Sequence, residues 1–332
     1  MKSAMWQVTI LLLFLLLSPA VACAEGEEAS GKIKVFVSIL PQKYFVERIG
    51  GDRVDVNVLV GPGQSPHMYD PTPRRLAELS EARVFFRIGV PFEEILMPKI
   101  ESAFKGLAVV DTSKGIQLRE MESHGEEHEA EDAHDRTSKG EGYSGEDAHT
   151  GTDRHDAEDG HSHEAGSPDP HIWLDPMRVK IQARTICDSL SMIDPAGAAS
   201  YRRNLKRFEE DLDRVDALIA KALAPVKGKP IFVFHPAYGY FAERYGLVQT
   251  AVETGGKEPG ARQLGRLIEK AKRADVKVIF VQPQFDMKYA STIAEAIGGA
   301  VVSLDPLAPD YINNLEDMAE KVGSALSRSS EK

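Results

Sequence analysis

The ten histidines of this 332-residue chain fall into two groups. Seven of them, His124, His128, His134, His149, His155, His161 and His163, lie in one stretch crowded with Asp and Glu. The other three, His67, His171 and His235, each sit in a short motif marked by proline or aromatic residues. Neutral imidazole is a nitrogen ligand well suited to zinc and its neighbours among the divalent metals. The pattern implies an ordered metal site accompanied by a collecting segment.

His67 lies in Gly61-Pro62-Gly63-Gln64-Ser65-Pro66-His67-Met68-Tyr69-Asp70-Pro71, a turn-rich run after a strand pattern. His171 opens His171-Ile172-Trp173-Leu174-Asp175-Pro176, where Asp-Pro reads as a helix cap and first turn. His235 ends a strand in Phe232-Val233-Phe234-His235-Pro236-Ala237-Tyr238-Gly239-Tyr240-Phe241, and Asp305 ends another in Ser303-Leu304-Asp305-Pro306-Leu307. Singly, each has a plain reading: a solvated loop residue, a neighbour of a cap, a histidine in an aromatic cluster, a turn cap. Jointly they give two ligand candidates per half, all after strands or at loop ends. Facing sheet edges would bring them together, since open α/β folds place ligands at the carboxyl ends of strands.

Three imidazoles and a carboxylate fill a tetrahedral shell and leave no position for a reactive water. That favours a carrier over a hydrolase, and a metalloenzyme requires Asp305 to stay off the metal. No His-Glu-x-x-His helix, Gly-x-Ser-x-Gly elbow or phosphate loop is present. The reading is therefore of a protein that is not an enzyme.

The elements that must position these residues are legible as two sets of β-branched runs alternating with amphipathic segments. The first set predicts strands over Ile33–Ile39, Val54–Val60, Val84–Ile88 and Leu107–Val110, with helices near Gln42–Ile49, Pro73–Ser80 and Phe92–Phe104. The second predicts strands over Ile231–Phe234, Val248–Val252, Val278–Val281 and Ala300–Ser303. Its helices fall near Tyr238–Tyr245, Ala261–Ala274, Met287–Ile297 and Tyr311–Leu326. Between the sets, a helix runs from Asp175-Pro176 to Ile193, and a second, opened by Asp194-Pro195, runs from Pro195 to Leu223. The second carries Tyr201, Leu205, Phe208, Leu212, Val215, Leu218, Ile219 and Leu223 at helical spacing, and Pro225 and Gly228 end it. At 1.5 Å per residue it would be roughly 40 Å long, a stiff connector that opposes wide hinge closure. The expected fold class is α/β: two similar lobes, each a mainly parallel four-stranded sheet flanked by helices, joined by one long rigid linker helix.

Residues 119–169 hold seventeen acidic side chains against four Lys and Arg, which exceeds the net charge of −11 of the whole chain. The rest is near neutral, with no basic face for nucleic acid. Ser123 to Pro168, almost without apolar residues, is expected to have no fold of its own, because it cannot bury enough surface to offset the entropy of ordering. The corresponding domain reading is residues 25–194 as an N-terminal lobe with a His- and acid-rich loop at about 118–168, 195–227 as the linker helix, and 228–332 as the C-terminal lobe.

Residues 1–24 read as an export signal: Lys2, then an apolar run from Val8 to Leu17, then Ala22-Cys23-Ala24 before Glu25. The run is too short to span a bilayer. Ala20-Val21-Ala22-Cys23 also matches a lipid-attachment box, so cleavage before Glu25 and lipidation of Cys23 both stand, and both place the mature chain outside the cytoplasm. Cys187 is then the one other cysteine, a small buried hydrophobe in a helical pattern, and no internal disulfide forms.

Pro66-His67-Met68-Tyr69-Asp70-Pro71, His171-Ile172-Trp173-Leu174-Asp175-Pro176, Phe234-His235-Pro236-Ala237-Tyr238-Gly239-Tyr240-Phe241 with Tyr245-Gly246-Leu247, and Leu304-Asp305-Pro306-Leu307 together resemble the metal-binding solute receptors of ABC transporters. Within this cluster A-I family the chain is similar to the zinc-specific branch. The resemblance covers nearly all of residues 25–332. It implies two α/β lobes joined by a long helix, and metal ligands at His67, His171, His235 and Asp305, with Asp305 or a water in the fourth place. It also implies Zn2+ as the transported ligand, and a monomer that docks on a membrane permease powered by a separate ATPase subunit. The acidic histidine-rich stretch resembles the loop of many zinc members, and its seven histidines read as auxiliary weak sites. Manganese and iron receptors of the family usually carry Glu at the position of His235. A manganese or iron receptor and a metal-dependent adhesin are the alternatives within the family. The chain departs from the usual pattern at Pro236, where relatives have an acidic residue, and in having no cysteine pair in its second half.

Overall fold

A computed structural model describes residues 31–121, 167–252 and 260–328. The expected export signal, Cys23 and all seven histidines of the acidic stretch lie outside the described residues.

Two sheets organise the chain. The first is built from β1 (Ile33–Val37), β2 (Val54–Val58), β3 (Val84–Arg87) and β4 (Ala108–Asp111), all parallel, in the order β2-β1-β3-β4. Its connections are α1 (Leu40–Gly50), α2 (Pro73–Ser80) and α3 (Pro91–Ala103). Two further helices follow, α4 (Pro176–Ile193) and α5 (Ala198–Leu223). The second sheet repeats the arrangement with β5 (Pro230–Val233), β6 (Val248–Ala251), β7 (Val278–Val281) and β8 (Ala300–Ser303), again all parallel, in the order β6-β5-β7-β8. Here α6 (Gly239–Tyr245), α7 (Ala261–Arg273), α8 (Met287–Ala296) and the closing α9 (Tyr311–Arg328) complete the lobe. In each sheet the first strand in sequence pairs with both the second and the third, so the connections diverge there. Such a switch point opens a crevice at the carboxyl ends of the strands.

Local chemistry sets the element ends. Thr72 caps α2 by accepting from Arg75 N at 3.3 Å, with Pro73 at the first helical position. Asp175 caps α4 by accepting from Met177 N at 2.9 Å, followed by Pro176, as the Asp-Pro pair predicted. Gly246 closes α6 in the left-handed region (φ 71°), where a side chain would be strained.

The connector differs from its expected form at the start. Pro195–Gly197 is a separate 3-10 turn held by the Asp194 side chain, and the α-helix begins at Ala198. Its 26 residues span about 39 Å. Tyr201, Phe208, Leu212, Val215, Ile219 and Leu223 are buried, whereas Leu218, expected on the same stripe, is exposed. The buried face packs on α1 and α4 and on α9. Phe208 lies 5.8 Å from the Phe45 ring of α1, and Tyr311 of α9 meets Phe45 edge-on at 4.8 Å. One apolar cluster therefore runs from the first sheet through α5 to α9, while a second, around Phe232, Leu267 and Ile279, serves the outer part of the second lobe. Moving the lobes widely would break that shared core, which gives a packing reason for rigidity beyond the stiffness of the helix.

The stretch from Ser123 to Pro168 was expected to lack structure throughout, yet its C-terminal end belongs to the fold. Glu120 and Pro168 form an antiparallel bridge, with Met121 N donating to Ser167 O and Asp169 N to Arg119 O, both at 2.8 Å. Backbone pairing to the neighbouring segment needs no apolar side chains, so it orders residues 167–168 where a pattern of apolar residues gave no signal.

Candidate metal centre

His67 is placed by the end of β2. The β-ladder continues past the strand, with Leu59 N and Val60 N donating to Val37 O and Ser38 O at 2.9 and 3.0 Å. A turn from Gly61 to Gln64 then reverses the chain, and Gly63 takes φ 74° within it. Pro66 is buried, and His67 N donates to Ser65 Oγ at 3.3 Å, so the half-buried imidazole is presented from a braced loop.

His171 is held more tightly. Its ring Nδ1 stands 2.7 Å from Asp169 Oδ1, and the same oxygen accepts from His171 N at 3.0 Å. Asp169 and His171 are both buried. A carboxylate oxygen only accepts, so Nδ1 carries a proton, and in the neutral ring Nε2 is then the atom with the lone pair that a metal needs. The 3-10 turn Ile172–Leu174 follows, with Trp173 fully buried and its ring 5.1 Å from that of His171.

His235 is clamped at the end of β5 by Gln282, which follows β7. Gln282 Nε2 donates to His235 O at 2.8 Å and Gln282 Oε1 accepts from His235 N at 3.3 Å. The buried imidazole stacks on Phe285 at 5.1 Å with 23° between planes.

These three anchors bring the rings together. Ring centroids are 4.4 Å apart for His67 and His235, 5.3 Å for His171 and His235, and 5.5 Å for His67 and His171. One nitrogen from each of His67, His171 and His235 lies within 4.8 Å of the others, and among the described residues this is the cluster able to hold a metal. In a tetrahedral zinc shell the ligand nitrogens stand about 3.4 Å apart, given bonds of about 2.1 Å, so the three nitrogens would draw in by up to about 1.4 Å around one ion. The cavity between them, lined also by Trp173, Gln284 and Phe285, has a volume of about 20 Å³. That accommodates one ion or water and excludes an organic solute, whose pockets run to some 300 Å³ or more.

Asp305, the fourth expected residue, is not drawn into the cluster. Its Oδ1 accepts from Gln284 Nε2 and from Leu307 N, both at 2.9 Å, which makes it the cap of its own loop. Its neighbour Tyr238 donates to Leu304 O at 2.9 Å. Burial, and then the Asp305 carboxylate, raise that phenol well above its ordinary 10, so Tyr238 stays a donor. Asp169 and Gln282 were not anticipated from the sequence. For Asp169 a signal was present: a carboxylate two residues before the histidine, fixed between Pro168 and Pro170.

The model of the periplasmic zinc-uptake complex component A family matches residues 35–325 of the chain. The chain belongs to this family. Among curated members, the high-affinity zinc uptake system protein ZnuA of Brucella suis biovar 1 is 34% identical over 310 residues, covering 89% of this chain and 92% of that one. The zinc-binding lipoprotein AdcA of Streptococcus pneumoniae is 27% identical over 319 residues, and the chain spans 57% of its length. A ZnuA crystal structure, 35% identical, superposes with a TM-score of 0.74 over 89% of this chain and 100% of that one. The two parallel four-stranded sheets and long intervening helix match that ZnuA structure. Relatives of the chain are periplasmic or lipoprotein zinc-binding receptors.

Proposed function

We propose that this chain is an extracytoplasmic receptor that captures one Zn2+ and delivers it to an ABC-type permease for high-affinity uptake. The observation that carries the reading is the convergence of His67, His171 and His235 on a cavity the size of a single ion. Each imidazole would donate one nitrogen, with Asp305 or a water completing the shell. Two ligands come from the first lobe (residues 25–194) and the third from the second (228–332), so the ion would join lobes that already pack together along the 195–227 connector.

Nitrogen-rich four-coordination favours zinc, whereas manganese prefers more oxygen and binds more weakly in any given site. Kinship with solute-binding receptors, more than the ligand count, supports carriage over catalysis, so the proposed role is not enzymatic. Export or lipid attachment at Cys23, a separate ATPase subunit and a monomeric receptor complete the proposal. His124, His128, His134, His149, His155, His161 and His163 would supply auxiliary weak zinc contacts. Among the described residues no helix is long and apolar enough to cross a membrane.

The test is a titration of metal-free residues 25–332 with zinc against a chelator of known affinity, with and without residues 123–166, and with manganese in competition. One tight equivalent that survives the deletion and the manganese is expected. Tight binding that disappears with the deleted residues would move the zinc site out of the histidine cluster.

A further inference from the structure

The residues flanking the acidic stretch do more than close it. Arg119–Met121 and Ser167–Asp169 pair as a two-stranded stem, and the Tyr240 hydroxyl grips both strands. It accepts from Arg119 N at 3.0 Å and donates to Asp169 O at 2.8 Å. Tyr240 comes from α6, which follows the His235 motif, and its ring is buried. The Arg178 guanidinium lies 4.6 Å from the ring centre. Burial holds the phenol up at about 12, so it remains a donor. The preceding Gly239 leaves the room this requires: a Cβ there would overlap the Arg119 guanidinium and come within 3.0 Å of Asp169 Oδ2.

The C-terminal strand of the stem ends on Asp169, whose side chain holds both the ring and the backbone N–H of His171. A path of hydrogen bonds thus runs from α6 through the stem to a metal-facing imidazole. We propose that Asp169 is the positioning residue of the metal centre, and that Tyr240, by clasping both strands of the stem, sets where Asp169 holds His171. This rests on the zinc-receptor reading for its affinity readout, while its structural readout is independent of metal. The stem then has a purpose apart from anything its intervening residues bind: it makes the affinity of the ordered site depend on a contact between the lobes. Outer-shell partners of ligating histidines typically contribute 10- to 100-fold in metal affinity, the scale such a device would act on.

The experiment uses 15N-labelled residues 25–332 as wild type, Asp169→Asn, Tyr240→Phe and His235→Ala. Long-range 15N–1H spectra of the metal-free proteins at pH 8 report the tautomer of His171, and chelator competition reports zinc affinity. The wild type should show His171 protonated at Nδ1. Asp169→Asn should give a mixed tautomer and about a 10- to 100-fold loss of affinity. Tyr240→Phe, which keeps the ring, should perturb the same His171 signals and weaken zinc binding by a smaller factor, with the circular dichroism spectrum of the folded wild type retained. Wild-type tautomer and affinity in Asp169→Asn would overturn the role of Asp169. An effect in Asp169→Asn with none in Tyr240→Phe would overturn the role of the stem. Absence of a tight, His235-dependent site in the wild type would sink the zinc-receptor reading, while the tautomer spectra would still decide the positioning of His171.

Discussion

The indole Nε1 of Trp173 donates to the carbonyl oxygen of Pro306 across 2.7 Å. This one bond ties the residue two positions past His171 to the loop one position past Asp305, and so joins the two lobes beside the metal cluster. Tyr311 OH adds a second tie by donating to the Trp173 carbonyl at 2.7 Å.

Replacing Trp173 by Phe keeps most of the apolar volume but leaves the Pro306 carbonyl without its donor in a buried setting. A loss of about 1–3 kcal/mol in stability is expected from such an orphaned group. Urea unfolding of the metal-free protein followed by circular dichroism measures it. An unchanged midpoint would mean that water replaces the bond.

Residues 25–332 contain one tryptophan, Trp173, with its ring 5.1 Å from that of His171. Zinc binding should therefore change the intrinsic fluorescence in proportion to occupancy. Alanine at His67, His171 or His235 should each weaken zinc by more than the 10- to 100-fold typical of losing an outer-shell partner. Asp305→Ala should cost less, because Oδ1 is already engaged by Gln284 and Leu307. An Asp305→Ala loss as large as the histidine losses would require the loop to rearrange onto the metal.

Glu93 is fully buried at the start of α3, where its carboxylate accepts from Ile88 N and from Gly89 N at 2.7 Å, and also from Ser38 Oγ. Burial nevertheless pushes its pKa up from 4.5 to about 7, since these donors and Arg87 offset only part of the desolvation. Because the folded pKa lies above the unfolded one, the protonated carboxyl favours folding. That contribution is complete below about 4.5 and is lost as pH rises through about 7, a span corresponding to about 3 kcal/mol. Glu93→Gln should flatten this slope and gain relative stability at pH 8 over pH 5, as urea midpoints at both values would reveal. Parallel pH profiles for the two proteins would contradict it.

Phe208 is fully buried between α5 and the Tyr44 and Phe45 rings. Phe208→Ala should destabilise the protein by about 3–5 kcal/mol. With one core running from the first sheet to α9, Trp173 fluorescence and far-ultraviolet circular dichroism should report a single coincident transition. Two separated transitions would show that the lobes fold independently.

Several features were settled along the chain itself. The strands Val278–Val281 and Ala300–Ser303 and the helix Pro73–Ser80 occur with the bounds their periodicity predicts, and the other strand boundaries agree to within two residues. Such elements follow from β-branched runs, proline positions and caps, which act over a few residues and can be read locally. The types of the candidate ligands, and their positions at strand ends, were equally legible. What only the tertiary structure decided is which candidates meet. His67 and His171 are separated by the acidic stretch, and His235 enters from another sheet, yet their nitrogens gather within 4.8 Å. Asp305, in as promising a motif, is instead taken up by Gln284 and its own loop. Asp169, in none of the expected ligand positions, became the partner of His171 because the stem and Tyr240 seat it there. The physical reason is range: residue type and dihedral preference are properties of short segments, whereas the partner of a buried polar atom depends on strand order and interlobe packing, which bring distant residues together.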